Sequence, residues 1–176
     1  MPRTTRPPVF VDLDETLVSA REREGWVRSK RPDARQHTCQ AVGGYDVVLR
    51  PEALEILQLS RAGGREVYLF TMASFGLALE ISRAFGLGFG DSTIFSFSMV
   101  LNCRRELCPE GALIDDRPYT DGNTRAKADA LGIGPERVWL IPAFQPPRYA
   151  SAKLFVAGLP LRFARLDAAA GRRGQS

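Results

Sequence analysis

The sequence has few residues of the types that form nucleophilic triads, zinc sites and disulfides. His37 is the single histidine among the 176 residues, which argues against a Ser-His-Asp, Cys-His or zinc site. Cys39, Cys103 and Cys108 form no Cys-x-x-Cys pair, and their odd number fits a reducing compartment. Any chemistry must therefore be carried by carboxylates.

Long apolar runs and dense runs of one charge are also missing. No apolar stretch approaches the roughly 20 residues that span a bilayer, and residues 1–6 lack the apolar core of a signal peptide. We therefore expect no membrane partner and a cytoplasmic location, or a nuclear one in a eukaryote. The 24 basic residues exceed the 20 acidic ones for a net charge of +4, without a run that predicts nucleic-acid binding. Such a chain suits a phosphorylated or otherwise acidic substrate, and its oligomeric state is left open.

The residues that are present predict one α/β domain. A length of 176 residues with 44% hydrophobic residues fits a single globular domain. Apolar strands alternate with helical patterns, which predicts a doubly wound parallel sheet. We expect the domain to cover residues 8–166, with disordered tails at 1–7 and 167–176. Residues 19–44 are polar and irregular, and they predict a small flap or hairpin excursion after the first strand.

The stretch from residue 8 to residue 18 organises the predicted sheet. Residues 9–11 are continuously apolar, as in a strand that is buried on both faces. Asp12 and Asp14 follow this strand on the same side, because side chains of an extended chain alternate. Two carboxylates at the end of a buried strand repel each other unless a cation lies between them, and oxygen ligands suit Mg²⁺. The crevice beyond the carboxyl ends of such strands is where α/β folds bind ligands.

The segment DLDETLV at residues 12–18 resembles the first motif of the haloacid dehalogenase superfamily of phosphatases. It is most similar to that of the RNA polymerase C-terminal-domain phosphatases and the NLI-interacting-factor-like group. The resemblance implies a nucleophile at Asp12, a general acid/base at Asp14, and support of the loop and of the substrate by Thr16. It also implies Mg²⁺-dependent hydrolysis of a phosphomonoester through an aspartyl-phosphate intermediate.

Two later segments resemble the second and fourth motifs of this superfamily. FTMAS at residues 70–74 implies that the Thr71 hydroxyl and the backbone at Met72 bind a phosphate oxygen, although Thr71 is equally suited to cap the next helix. LIDD at residues 113–116 implies that one of Asp115 and Asp116 binds the metal directly, and the CTD-phosphatase branch favours Asp116. The expected metal ligands are Asp12, Asp14, Asp115 and Asp116.

The third motif, which supplies a cation near the nucleophile, departs from the family pattern. No lysine lies between residues 31 and 126, so the role must fall on Arg104, Arg105 or Lys127. The segment REL at residues 105–107 resembles the Lys-Asp-Leu of the family. Arg105 is therefore predicted to bind both the nucleophile and the phosphate, since a guanidinium can contact two oxygens at once. Arg104 and Lys127 stay open as alternatives.

The sequence leaves three functions open. The first is a Mg²⁺-dependent phosphatase that acts on phosphoserine or phosphothreonine in proteins, because the short connection from Thr71 to Asp115 has no room for a large cap domain. The second is a phosphatase for a small metabolite or nucleotide. The third is a phosphate-binding pseudoenzyme or interaction module, which the missing lysine of the third motif leaves open.

Overall fold

The computed structural model describes residues 6–22, 38–96, 98, 108–146 and 149–173, which form two sheets and four α helices. The strands are β1 (Val9–Val11), β2 (Val18–Glu22), β3 (Cys39–Val42), β4 (Tyr45–Leu49), β5 (Val67–Thr71), β6 (Ile94–Ser96), β7 (Ala112–Asp115) and β8 (Val138–Leu140). The helices are α1 (Ala53–Arg61), α2 (Phe75–Phe85), α3 (Gly122–Leu131) and α4 (Lys153–Arg173).

The larger sheet has five strands in the order β6-β5-β1-β7-β8, and all neighbouring strands are parallel. Its central strand is β1, in which Val9 lies beside Val67 of β5 and Ala112 of β7. Val9 and Val11 are fully buried and Phe10 is nearly so. A strand needs continuous apolar residues when both faces of its sheet are covered. The predicted doubly wound parallel sheet is confirmed.

Apolar clusters cover the two faces of this sheet. On one face, Val9 and Val11 pack in a cluster with residues of α1, α2 and α4. On the other face, Phe10 packs with Phe70, Leu113 and residues of α3. The alternation of side chains along β1 thus distributes its residues between two cores, and this burial of apolar area is the main force that holds the sheet in place.

The smaller sheet is antiparallel, with the order β2-β4-β3. It follows β1 in the chain and corresponds to the predicted excursion within residues 19–44, of which 23–37 lie outside the described residues. Gly43 and Gly44 form the turn between β3 and β4 with φ angles of 53° and 85°. Glycine is suited to this turn because other residues rarely adopt positive φ angles.

The connection from β5 to β7 contains α2 and β6 in its described part. The described part of this connection therefore contains no large cap domain, while residues 97 and 99–107 lie outside the described ranges.

Helix α4 differs from its prediction. The sequence predicts a disordered tail from residue 167, but α4 runs through Gly158 and Pro160 to Arg173. Its last turns contain three alanines, which favour helix, and Asp167 accepts a hydrogen bond at 3.0 Å from buried Arg65. This corrects the expected disordered tail for residues 167–173. Within the described ranges, no helix combines the length and the apolar character that crossing a membrane requires.

Candidate active site

Side chains from several strand ends and from one helix meet at the carboxyl edge of the parallel sheet. They surround a pocket of about 110 Å³. Asp12 follows β1, Asp115 ends β7, and Lys127 reaches the pocket from α3. The lining residues are Asp12, Asp14, Met72, Asp115, Asp116, Arg117, Asn123, Thr124 and Lys127.

Lys127 joins two carboxylates at the base of this pocket. Its Nζ donates hydrogen bonds to Asp12 Oδ1 at 2.7 Å and to Asp115 Oδ2 at 2.8 Å. The side chains of Lys127, Asp12 and Asp115 are only 4%, 8% and 1% exposed. Charges buried to this extent require partners, because an unpaired buried charge costs several kcal/mol. The three groups therefore hold one another in the charged, hydrogen-bonded arrangement.

The pKa values of this buried group reflect both burial and pairing. Burial is the largest influence on Asp12 and raises its pKa to about 7, although Lys127 acts in the opposite direction. Burial alone would lower the pKa of Lys127, but Asp12 and Asp115 outweigh that effect and raise it. Lys127 thus stays protonated near neutral pH and stabilises the ionised form of Asp12, against the burial that favours the neutral form. One ammonium does not compensate for all the negative charge present.

The neighbouring carboxyls show the same excess of negative charge. Burial, followed by repulsion from Asp115 and Glu15, raises the pKa of Asp116 to about 6. Burial and the charge of Glu15 also raise the pKa of Asp14. Like charges at short range make ionisation harder, so a further cation at this position would be bound favourably.

Three of these carboxyl groups form a candidate metal site. Asp12, Asp115 and Asp116 each offer one oxygen, and these oxygens lie within 4.8 Å of one another. Carboxylate oxygens are ligands for hard divalent cations, and burial together with repulsion between neighbouring carboxyls raises the pKa values of Asp12 and Asp116. The residues present therefore fit a divalent cation. Asp14, the fourth expected ligand, lines the same pocket but is not a member of this group.

The loop that carries Asp12 and Asp14 is a tight turn. The backbone N–H groups of Leu17 and Val18 both donate to the Leu13 carbonyl, at 2.9 and 3.1 Å. Glu15 in this turn has a φ of 59°, a left-handed conformation that costs a residue with a Cβ roughly 1–2 kcal/mol. Contacts elsewhere in the protein must hold the turn in this shape.

Arg50 supplies such contacts from behind the turn. Its Nη2 donates to the Glu15 carbonyl at 3.0 Å and also to the Pro142 carbonyl. The Phe144 N–H donates to the same Glu15 carbonyl at 2.7 Å, and the Arg50 guanidinium lies 5.2 Å from the centre of the Phe144 ring. Arg50 is fully buried, and burial lowers its pKa. These contacts fix the strained turn to the segment that follows β8.

Thr16 and Glu15 make contacts within the protein. The fully buried Thr16 donates from Oγ1 to Asp116 Oδ1 at 3.3 Å, so it orients a candidate metal ligand and does not line the pocket. The Glu15 carboxylate accepts hydrogen bonds from Arg21 Nη2 at 3.1 Å and from Gln145 Nε2 at 2.7 Å. Because Arg21 belongs to β2, these bonds connect the smaller sheet to the turn.

The predicted second motif lies at the end of β5. Thr71 is fully buried, and its Oγ1 accepts a hydrogen bond from Ala73 N at 3.0 Å. Ser74, rather than Thr71, caps α2, with its Oγ accepting from Leu77 N at 3.4 Å. Met72 is 42% exposed and lines the pocket. Thr71 therefore shapes the turn that presents Met72 to the pocket.

The predicted cation Arg105 and its alternative Arg104 lie outside the described residues, so their roles stay predictions. Among the described residues, the side-chain cation that contacts Asp12 is Lys127, which the sequence left open as an alternative to Arg105. A signal for it is present in the sequence, since Lys127 falls on the buried face of α3 with Thr124, Ala128 and Leu131. A lysine on a buried helical face needs a carboxylate partner.

Arg117, Asn123 and Thr124 line the pocket although no sequence motif predicted them. The Arg117 N–H donates to Asp115 Oδ1 at 3.0 Å, which fixes the start of the loop after β7. All three residues lie between the Asp115-Asp116 pair and the second turn of α3. The position of this segment could have indicated them, because the helix after a parallel strand begins near the carboxyl edge of the sheet.

Comparisons with known proteins show the fold. Neither a protein-family model nor a curated protein matches the sequence. A HAD family hydrolase from Deinococcus radiodurans R1 has a similar structure, with 19% identity, a TM-score of 0.51, and coverage of 94% of this chain and 97% of that chain. The predicted haloacid-dehalogenase type of fold is thereby confirmed.

Two structures of the RNA polymerase II CTD phosphatase Fcp1 are also similar. One has 16% identity and a TM-score of 0.47, and the other, a fission yeast Fcp1 bound to beryllium fluoride, has 15% identity and a TM-score of 0.45. Each match covers 97% of this chain. This chain spans only about half of the Fcp1 chains, 53% and 54%.

Replacing Lys127 should destabilise the protein. In metal-free buffer, Lys127→Ala should lower the free energy of unfolding by about 3–5 kcal/mol, because Asp12 and Asp115 lose their buried partner. Denaturant unfolding measures this change. The control is Arg125→Ala, which removes an exposed pair with Asp129 at 3.9 Å and should cost less than about 1 kcal/mol. Equal losses in the two variants would contradict the role given to Lys127.

Proposed function

We propose that this protein is a divalent-cation-dependent phosphomonoester hydrolase in which Asp12 is the nucleophile. One observation carries the proposal. The Asp12 carboxylate is buried at the carboxyl edge of the sheet, is held by Lys127, and shares a pocket with the oxygen ligands Asp115 and Asp116. A carboxylate in this position can be aimed at a phosphorus atom, with positive charge close to the oxygens that become more negative.

The first chemical step is attack by a carboxylate oxygen of Asp12. The new bond to phosphorus forms as the ester bond breaks, and the product is an aspartyl-phosphate that water then hydrolyses. Lys127 holds Asp12 Oδ1 and so orients the carboxylate throughout. When bound by Asp12, Asp115 and Asp116, Mg²⁺ supplies the positive charge that lets the phosphate approach a carboxylate.

Asp14 is the proposed proton donor and acceptor. It lines the pocket but lies outside the candidate ligand group, and burial raises its pKa. A raised pKa keeps the carboxyl protonated at higher pH, which suits donation of a proton to the leaving oxygen. After the leaving group departs, the same carboxylate accepts a proton from the attacking water.

The proposed substrate is phosphoserine or phosphothreonine in a protein. The pocket is lined by carboxylates together with Lys127 and Arg117, and this polar lining suits a phosphoryl group that binds with a cation. No large cap covers the described carboxyl edge, which leaves room for a macromolecule. The motifs at residues 12–18 and 113–116 resemble those of CTD phosphatases, and the D. radiodurans hydrolase of the same fold is described with bound phosphate and sodium.

Hydrolysis of p-nitrophenyl phosphate should require added Mg²⁺ and should stop in excess EDTA. Asp12→Asn should reduce turnover below detection, because an amide is a poor nucleophile, and no phosphorylated protein should accumulate. Release of nitrophenolate and acid-quench phosphoprotein analysis measure the two effects. Asp129→Asn, an exposed change on α3, is the control and should keep full activity. Turnover that persists in EDTA or in Asp12→Asn would rule out the proposed site.

The affinity for Mg²⁺ should increase with pH. Asp12 and Asp116, with pKa values of about 7 and about 6, retain protons at lower pH that a bound cation must displace. Affinity should therefore rise by about tenfold or more between about pH 5.5 and 7.5 and then level off, since each displaced proton contributes up to tenfold per pH unit. Isothermal titration calorimetry measures this profile. A flat profile would show that these carboxyls do not hold the metal.

Phosphopeptides should be better substrates than metabolites. In a panel of phosphoserine and phosphothreonine peptides, sugar phosphates and nucleotides, the best peptide should exceed the best small molecule in kcat/KM by about tenfold or more. An assay of released inorganic phosphate measures the rate of hydrolysis for every substrate in the panel on the same scale. The reverse order would assign the protein to small phosphomonoesters and leave the Asp12 chemistry intact.

A further inference from the structure

A second groove lies between α4 and the edge strand β8, and it shares no lining residue with the active-site pocket. Its volume is about 240 Å³. Its walls carry three arginines, Arg137, Arg162 and Arg165, over an apolar floor that includes Trp139 and Leu166. The motifs of the candidate active site account for none of these residues.

The groove is positively charged. Arg162 and Arg165 are one helical turn apart on α4, and both are exposed. Among the described residues, neither has a carboxylate within ion-pair distance, and the acidic lining residue, Glu136, lies 3.9 Å from Arg137 Nε. Two guanidinium groups therefore face the groove without a protein counter-charge from the described residues.

Two of the three arginines, Arg137 and Arg162, already contact other residues before any ligand binds. The Arg162 guanidinium lies 5.9 Å from the centre of the Trp139 ring and 5.5 Å from that of Phe155. Arg137 is 9% exposed, and its Nη1 donates to the Pro109 carbonyl at 2.7 Å. A guanidinium that is already stacked or hydrogen-bonded loses less conformational entropy when it binds a carboxylate.

The strand beside the groove offers backbone groups. β8 is the last strand in the sheet order, and no other described strand pairs with its outer edge. An extended peptide can add its own N–H and C=O groups to such an edge, whereas a nucleic acid cannot. Because β8 has only three residues, this pairing would be short and the arginines would supply much of the affinity.

We propose that this groove binds an acidic peptide segment in an extended conformation. Carboxylates of the peptide contact Arg162 and Arg165, and its backbone lies along Val138–Leu140. Charge complementarity selects the partner, and the apolar floor accommodates the aliphatic part of a glutamate side chain. The binding does not depend on the proposed phosphatase activity.

Fluorescence anisotropy with a labelled glutamate-rich peptide of about eight residues tests this proposal. The double charge reversal Arg162→Glu/Arg165→Glu should weaken binding by about tenfold or more, because two favourable contacts become repulsive. Arg162→Lys/Arg165→Lys keeps both charges and should retain most of the affinity. Added salt should weaken binding of the unmodified protein, since exposed charge pairs are screened.

The matched control is Lys153→Glu/Arg172→Glu, which changes the net charge equally on the same helix but outside the groove. It should bind the peptide within about twofold of the unmodified protein. An equal loss in this control, or no binding by the unmodified protein, would overturn the proposal. It would also be overturned if a single-stranded DNA oligonucleotide bound more tightly than the peptide and depended on Arg162 and Arg165. The hydrolysis of p-nitrophenyl phosphate should be the same in all these variants.

Discussion

The candidate site depends on one ammonium group placed between two buried carboxylates. Without Lys127, Asp12 and Asp115 would be two neighbouring buried carboxylates with no ammonium group between them. Lys127 does not offset this cost in full, since burial, together with repulsion between neighbouring carboxyls, still raises the pKa values of Asp12 and Asp116 to about 7 and about 6. The protein alone therefore stabilises the arrangement but leaves a demand for further positive charge, and this demand makes the same residues suitable for a divalent cation and for a phosphate.

The fold brings these charges together through strand register. Val11 lies beside Ile114, and the Asp12 N–H donates to the Ile114 carbonyl at 2.9 Å, so Asp12 and Asp115 leave neighbouring strands at the same level. The chain then turns back through α3, whose second turn places Lys127 over both carboxylates. Arg50 acts on the loop that carries Asp12 and Asp14. From the core it donates a hydrogen bond to the carbonyl of Glu15, the residue with a positive φ angle. Two buried cations thus act at different positions, one on the carboxylates and one on the backbone that carries them.

The strands and the aspartates at their carboxyl ends could be predicted, because a run of apolar residues followed by aspartate is visible within a few neighbouring positions of the sequence. The continuous apolar run before Asp12 and the one before Asp115 are each sufficient to indicate a buried strand. The side chains that contact these carboxyl ends come from distant parts of the sequence. The order of motifs along the chain does not show which helix packs against which strand. The resemblance of residues 105–107 to the Lys-Asp-Leu of the family favours Arg105 over Lys127, and since Arg105 lies outside the described residues this stays a prediction, while Lys127 contacts Asp12. The contact of the Thr16 hydroxyl with Asp116, 100 positions away in the sequence, is a further partner that the order of motifs does not indicate.

The distribution of charge explains how a net charge of +4 fits a site that is rich in carboxylates. Four aspartates, one lysine and one arginine line the pocket at the carboxyl edge, whereas three arginines and one glutamate line the groove between α4 and β8. An acidic protein segment is repelled by the uncompensated carboxylates of the pocket and attracted by the groove. Contact at the groove would therefore retain an acidic partner without competing for the cation at Asp12. Because the two surfaces are separate, the proposed metal binding and the proposed peptide binding should respond independently to pH and to salt, since buried carboxyls govern the first and exposed guanidinium groups the second.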